Sequence, residues 1–233
     1  SPPGMNYQYS PWGDYFAGTG LGANPMVGQV VKTYSCPSDS RTLISKGGLG
    51  INGNIAFCGL VGCSGSGVPG FDPSWTNYPD PDIPAFYVYD GILSNDSQTR
   101  IADITDGTSN TLMVGERPPS FDLNFGWMFA GAGYNNQGIG DVLLGAYEQG
   151  YLTYAITAGW KNPAGSPCSA ANIGFQAGQV RNQCDQMHWW SFHTGGCNFV
   201  FGDGSVHFIA FGTPPAVMVA LSTMASGEVV SLP

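Results

Sequence analysis

Residues 198–209 read Asn-Phe-Val-Phe-Gly-Asp-Gly-Ser-Val-His-Phe-Ile. Two apolar segments flank the turn at residues 202–205, whose glycines tolerate the positive φ angles that tight turns require. The pattern therefore predicts a β-hairpin. Because two strands alone are marginally stable in water, we expect the hairpin to dock on the rest of the domain. The side chains available for docking are Phe199, Phe201, Val206 and Phe208.

Weaker signals of secondary structure surround the hairpin. After it, Thr213, Pro214 and Pro215 are typical of a helix start, and Gly227 is expected to stop a helix that runs to about Ala225. Before it, clustered β-branched residues predict a strand at 27–34, and we expect a short turn or helical turn at 100–106 followed by another strand at 108–116. The small residues of 58–70 predict a loop. Residues 121–182 have no fixed period, and we interpret them as a variable insertion within a single domain spanning 1–233.

The composition favours turns and short strands over long helices. The chain has 233 residues, of which only 10% are charged, with Gly 35 and Pro 17. A net charge of -9 with Lys+Arg 7 argues against a nucleic-acid partner, because phosphate affinity comes from cationic side chains. No apolar run approaches the length of a membrane span, so we expect no membrane insertion in this form. The fold class expected is α+β, mainly antiparallel sheet, with long loops and one short carboxy-terminal helix.

The six cysteines are scattered and form no pair with metal-site or thioredoxin spacing. An even, scattered set predicts disulfides and therefore export to an oxidising compartment. Six cysteines allow about 15 pairings. We expect two local bridges, Cys58–Cys63 and Cys168–Cys184, and one long-range bridge, Cys36–Cys197.

Three motifs stand in order along the chain. The first is Tyr34-Ser35-Cys36-Pro37-Ser38-Asp39. The second runs from Ile101 through Asp106-Gly107-Thr108-Ser109-Asn110 to Gly115-Glu116-Arg117. In the third, nine residues separate His193 from Asp203-Gly204. Together these segments resemble a family of bacterial prepilin-type proteins described by an H-x9-DG motif.

The resemblance implies a pilin-like globular domain and a role as an exported, non-catalytic structural subunit of a cell-surface or extracellular filament or assembly. It also implies self-association into a homo-oligomer or filament. The family's amino-terminal hydrophobic helix is expected to precede a segment such as Ser1-Pro2-Pro3-Gly4, so we expect that helix to have been cleaved or omitted here.

The motif residues have two interpretations. The carboxylate and amide side chains of Asp103, Asp106 and Asn110 can bond backbone N–H groups, with Gly107 in a left-handed turn. Alternatively, Asp103, Asp106 and Asn110 form an oxygen-rich cation site, with calcium as the expected ion. His193 and Asp203 are expected to form a structural pair that holds the hairpin to the domain through an imidazole bonded at both nitrogens.

Enzymatic function is not expected. A metal hydrolase site would have to be assembled from His188, His193, His207, Asp203 and Glu116, but the chain has no H-E-x-x-H, G-x-S-x-G or phosphate-binding loop. The alternative function is a secreted carbohydrate-binding module that binds surface polysaccharide through stacked indoles. Adjacent Trp189 and Trp190 point to opposite faces if extended, so one of them is a candidate exposed platform.

Overall fold

The computed structural model describes residues 25–47, 54–67, 90–93, 97–128, 142–148, 152, 155–156, 158–228 and 230. Within these ranges its named elements are seven short strands and one α-helix, and Leu152, Ala155 and Ile156 are also α-helical. The strands are β1 (Ser45–Gly47), β2 (Asn54–Ala56), β3 (Leu60–Gly65), β4 (Leu112–Glu116), β5 (Leu143–Gly145), β6 (Gly196–Phe201) and β7 (Val206–Ala210), and the helix is α1 (Pro215–Ser222). Short 3-10 helices include Pro25–Gly28, Lys32–Tyr34, Ser40–Leu43, Ile101–Asp103, Ala170–Asn172 and Gln183–Met187.

Five of the strands form one sheet in the order β5-β3-β4-β6-β7. All neighbours are antiparallel except β3 and β5, which pair in parallel with Gly62 opposite Leu143. β1 and β2 form a separate antiparallel pair. The predicted α+β class with mainly antiparallel strands is therefore confirmed. No helix among the described residues is long and apolar enough to cross a membrane.

One face of the five-stranded sheet packs against the main core, whereas the opposite face is partly exposed to solvent. Paired residues on antiparallel strands point to the same face. One face carries Cys197 and Ile209, which are paired and belong to the main core together with residues of α1. The opposite face carries the pair Val200 and Val206, of which Val200 is half-buried and Val206 exposed. The main core contains Val61, Cys63, Leu112, Leu144, Ala146, Phe175, Trp189, Cys197, Phe199, Phe201, Ile209, Met218 and Leu221.

The carboxy-terminal hairpin is present as predicted. Its turn closes around Gly204, whose φ is 84°, and the Asp203 carboxylate accepts hydrogen bonds from the backbone N–H and hydroxyl of Ser205. Only two of the four docking side chains behave as expected. Phe199 and Phe201 are fully buried, whereas Val206 and Phe208 are exposed, because they lie on the edge strand and face away from the core.

The predicted carboxy-terminal helix is also present but shorter than expected. α1 begins at Pro215 and ends at Ser222, before the expected end at Ala225. Its last turn is closed by the Ser222 hydroxyl, which donates to the carbonyl of Met218 at 2.6 Å.

Two sequence predictions of local structure are wrong. Residues 27–34 form no strand and lie partly in two 3-10 helices. The predicted loop at 58–70 contains β3, which pairs on both edges inside the sheet. Glycine explains the second error, because a Cβ at Gly62 would lie 2.8 Å from Leu93 Cδ1 and 2.9 Å from Leu143 Cδ2. The small residues of β3 therefore make room for its neighbours.

A second apolar cluster lies mostly within the predicted insertion. It contains Phe125, Leu152, Ala155, Trp160, Cys168, Ile173, Cys184 and Met187. The Cys168–Cys184 disulfide joins two members of this cluster, as the sequence predicted. The single domain and the boundaries of the insertion stay predictions.

The other two predicted bridges are wrong, because Cys36, Cys58, Cys63 and Cys197 are free thiols. Cys58 precedes β3 and its thiol lies 3.0 Å from the carbonyl of Leu60, whereas Cys63 lies within β3 and its thiol lies 3.7 Å from the carbonyl of Ser222. Cys197 lies in the main core, while the Cys36 sulfur lies against His193.

Candidate functional site

The three sequence motifs meet at one cluster of side chains, Cys36, Glu116 and His193. Cys36 follows the 3-10 helix Lys32–Tyr34, Glu116 is the last residue of β4, and His193 lies in the loop that enters β6. Pairing of β4 with β6 brings the end of the first strand beside the start of the second. The fold therefore joins residues that are 157 positions apart in the chain.

The ligating atoms of the three side chains converge. His193 Nε2 lies 3.1 Å from Glu116 Oε1 and 3.8 Å from Cys36 Sγ. All three atoms lie within 4.8 Å of one another. Glu116 is buried, and Cys36 and His193 are half-buried, so the cluster stands between the protein interior and solvent.

Neighbouring polar groups hold the cluster in place. Glu116 Oε2 accepts a hydrogen bond from the backbone N–H of Asn198 at 2.7 Å and is 3.3 Å from its side-chain Nδ2. The backbone N–H of His193 donates to the hydroxyl of Ser191, which itself donates to the carbonyl of Gly196. Both the carboxylate and the histidine loop are thus fixed to the start of β6.

Arg117 extends this polar region into the interior. Its side chain is fully buried, and its guanidinium lies 4.6 Å from the centre of the Phe125 ring, a cation–π distance. Nη1 lies 3.4 Å from the carbonyl of Gln186. Because Phe125 belongs to the second apolar cluster, the Gly-Glu-Arg motif links that cluster to the sheet.

The geometry does not match a nucleophilic triad. In such a triad one imidazole nitrogen accepts the proton of the nucleophile while the other is oriented by a carboxylate. Here the same atom, Nε2, faces both the thiol and the carboxylate. The arrangement suits a structural contact or a shared cation better than it suits proton relay.

The residues predicted to bind calcium have other partners. Asp103 forms an ion pair with Arg100 at 2.9 Å, and this contact lowers the pKa of the Asp103 carboxyl. The two carboxylate oxygens of Asp106 accept hydrogen bonds from the backbone N–H groups of Ser226 and Gly227, each at 2.8 Å. Asn110 donates to the carbonyl of Asp106, and Gly107 has the expected positive φ of 96°. Calcium binding at this loop stays a prediction.

The expected pair of His193 and Asp203 is wrong. His193 contacts Glu116 and Cys36, whereas Asp203 is exposed and caps the hairpin turn. The two residues flank opposite ends of β6, whose six residues span about 20 Å when extended. The buried imidazole with partners at both nitrogens is His188, which lies 3.1 Å from Asp185 Oδ1 and 3.0 Å from the carbonyl of Trp189.

The remaining histidine and the described tryptophans have structural surroundings. His207 is exposed and contacts the hydroxyl of Ser205. The expectation of an exposed indole at position 189 or 190 is wrong, since both side chains are buried. Trp127 and Trp160 are buried as well, and Trp12 and Trp75 lie outside the described residues.

A family model described as "Protein of unknown function (DUF1559)" matches residues 5–214. The chain belongs to this family. DUF1559 proteins are of a bacterial surface type. No curated protein and no solved structure matches the chain.

The sequence singles out Cys36, Glu116 and His193 separately but does not predict that they meet in one cluster. From the sequence, Cys36 is expected in a disulfide, Glu116 belongs to the Gly-Glu-Arg motif and to the hydrolase set, and His193 is expected to pair with Asp203. The sequence feature that could have predicted the cluster is that each of its three residues lies in a different motif. Short motifs far apart in a chain must be brought together by the fold if they share one task.

Proposed function

We propose that this DUF1559 chain is a non-catalytic, pilin-like structural subunit that is exported to the cell surface or extracellular space. It self-associates there into a filament or another homo-oligomeric assembly. The bacterial surface type of the family supports this location, as does the Cys168–Cys184 disulfide, since disulfides persist in oxidising compartments.

The observation that carries the proposal is the edge strand β7. β7 is the last strand of the five-stranded sheet, and it contains no Lys, Arg, Asp, Glu or Pro. Val206 is 62% exposed and Phe208 is 52% exposed. Proteins that stay monomeric usually protect an edge strand with charges, prolines or covering segments, because its free N–H and C=O groups can pair with another chain.

The apolar surface continues from the edge onto the open face of the sheet. Val206 is paired with Val200, which in turn is paired with Val114 on β4. Val200 and Val114 are both half-buried. A neighbouring subunit could therefore add a strand to β7 and cover this row of valines in the same contact.

The test compares self-association of the wild type with that of two variants. Val206→Lys/Phe208→Lys places two charges on the edge strand, and Ile101→Lys is the matched control because Ile101 is 78% exposed but lies on a 3-10 helix. Light scattering after size-exclusion chromatography and negative-stain electron microscopy report the assembly state. We expect concentration-dependent oligomers for the wild type and the control, and monomers for the double variant.

A wild type that stays monomeric up to the highest soluble concentration would contradict the proposal, as would equal assembly by all three proteins. The alternative of a carbohydrate-binding module stays a prediction. None of the described tryptophans supplies the exposed platform on which that alternative depends.

A further inference from the structure

We propose that Cys36, Glu116 and His193 form a binding site for a single zinc ion. The proposal is independent of self-association, because it concerns a site within one chain. Among the described residues, these three form the one group of His, Cys, Asp or Glu side chains whose ligand atoms converge within 4.8 Å.

The first argument is the orientation of His193. A neutral imidazole Nε2 either carries one proton or presents one lone pair, so it forms one directed bond. Yet both Glu116 Oε1 and Cys36 Sγ lie close to this one atom, at 3.1 Å and 3.8 Å. A cation placed between the three atoms satisfies all of them at once.

The second argument is the spacing of the ligand atoms. Zinc binds imidazole nitrogen and carboxylate oxygen at about 2.0–2.2 Å and thiolate sulfur at about 2.3 Å, with tetrahedral angles. Two ligands of one zinc ion are therefore about 3.3–3.6 Å apart. The observed separations of 3.1 Å and 3.8 Å from His193 Nε2 lie close to that range, and the thiol and carboxylate lie within 4.8 Å of each other, so a bound zinc ion draws Cys36 toward Glu116.

The chemical types of the three ligand atoms determine which metal ion the site prefers. Calcium and magnesium prefer sites made wholly of oxygen ligands. One thiolate, one imidazole and one carboxylate are the ligand types of zinc. The same cluster therefore favours zinc over the calcium expected at the Asp103–Asn110 loop.

Outer contacts pre-organise two of the ligands. The Asn198 backbone N–H and side-chain amide hold Glu116 Oε2, which leaves Oε1 facing the cluster. Ser191 holds the backbone of His193. Partners of this kind fix the orientation of zinc ligands.

The fourth position of the site faces solvent. The side chain of His193 is 32% exposed, and Cys36 is half-buried. A water molecule is the expected fourth ligand, as in zinc sites with three protein ligands. The bound ion joins the Cys36 segment to β4 and to the entry of β6.

The test uses chelator-treated wild-type protein, with Co²⁺ as a spectroscopic probe and Zn²⁺ in calorimetric titrations. We expect one equivalent of Co²⁺ to give a thiolate-to-cobalt charge-transfer band that Zn²⁺ abolishes. Cys36→Ser and His193→Gln should weaken zinc binding about a hundredfold or more, since loss even of an outer-shell partner costs about 10- to 100-fold. The matched controls are Cys58→Ser, which alters a buried free thiol, and His207→Gln, which alters an exposed imidazole.

A second measurement avoids substitutions altogether. Zinc should protect Cys36 of the wild type from alkylation by iodoacetamide, as mapped by mass spectrometry. Absence of zinc binding, cobalt binding without the thiolate band, or equal effects of the controls and the ligand variants would each overturn the proposal. Alkylation of Cys36 at the same rate with and without zinc would overturn it too.

Discussion

His188 illustrates how much a single buried imidazole contributes to this DUF1559 chain. Its two ring nitrogens contact Asp185 and the carbonyl of Trp189, and Asp185 also accepts hydrogen bonds from the backbone N–H of Gln179 and the side chain of Asn182. The segment 179–189 is thus organised around one buried carboxylate–imidazole contact. A buried polar group that loses its partner keeps the cost of its desolvation.

We therefore expect His188→Ala to lower the free energy of unfolding by about 1–3 kcal/mol. His207→Ala is the control, because His207 is exposed and contacts one serine hydroxyl. Urea unfolding followed by tryptophan fluorescence measures both variants. Equal stability of the two variants would show that the His188 contacts add nothing.

At the scale of elements, close packing of β4 against its neighbours depends on Gly115. A Cβ at this position would lie 2.5 Å from Phe199 Cε1 and 3.0 Å from Trp189 Cδ1. Both rings are buried in the main core, so neither has free space into which to move. The glycine that precedes Glu116 is thus a packing requirement of the strand.

Gly115→Ala should accordingly destabilise the protein by about 1–3 kcal/mol, the usual cost of overpacking a core. Gly212→Ala is a suitable comparison, because no atom lies within 4 Å of the added Cβ. Thermal unfolding followed by circular dichroism reports both substitutions. A melting temperature for Gly115→Ala equal to that of the Gly212 variant would refute the packing argument.

Sequence patterns predicted elements well where local chemistry is decisive. Apolar residues around a glycine-rich turn determine the β6–β7 hairpin, and prolines mark the start of α1. The sequence did not predict β3, because glycine has low strand propensity. The glycine at position 62 is needed in the strand because any side chain there would collide with Leu93 and Leu143. The Cys36, Glu116 and His193 cluster was missed because its members are distant in sequence: the pairing of β4 with β6 places Glu116 beside the loop of His193, and the tertiary fold adds Cys36.

At the scale of the whole molecule, the Cys168–Cys184 disulfide stabilises the region around the second apolar cluster. The bridge joins residues 16 positions apart. In the chain-entropy description, a closed loop of about 15 residues stabilises the folded state by about 3 kcal/mol. The other four described cysteines are free thiols, so the Cys168–Cys184 bond is the one that a reductant breaks among the described cysteines.

We expect reduction to lower the free energy of unfolding by about 3 kcal/mol, as measured by urea unfolding with and without reductant. A Cys168→Ser/Cys184→Ser variant serves as the control, and its stability should not respond to reductant. If reduction left the wild type unchanged, the bridge would have no role in holding the second cluster together.

The strand order also has consequences for the time course of folding. β6 and β7 are joined by a short turn, and a hairpin of this kind forms within about 1–10 μs. β3 must instead find β5, with Gly62 opposite Leu143, and β4 must find β6, with Leu112 opposite Phe201. Contacts so distant in sequence slow the search for the native state. Pulse-labelling hydrogen exchange should therefore detect protection in β6–β7 before β5 joins the sheet.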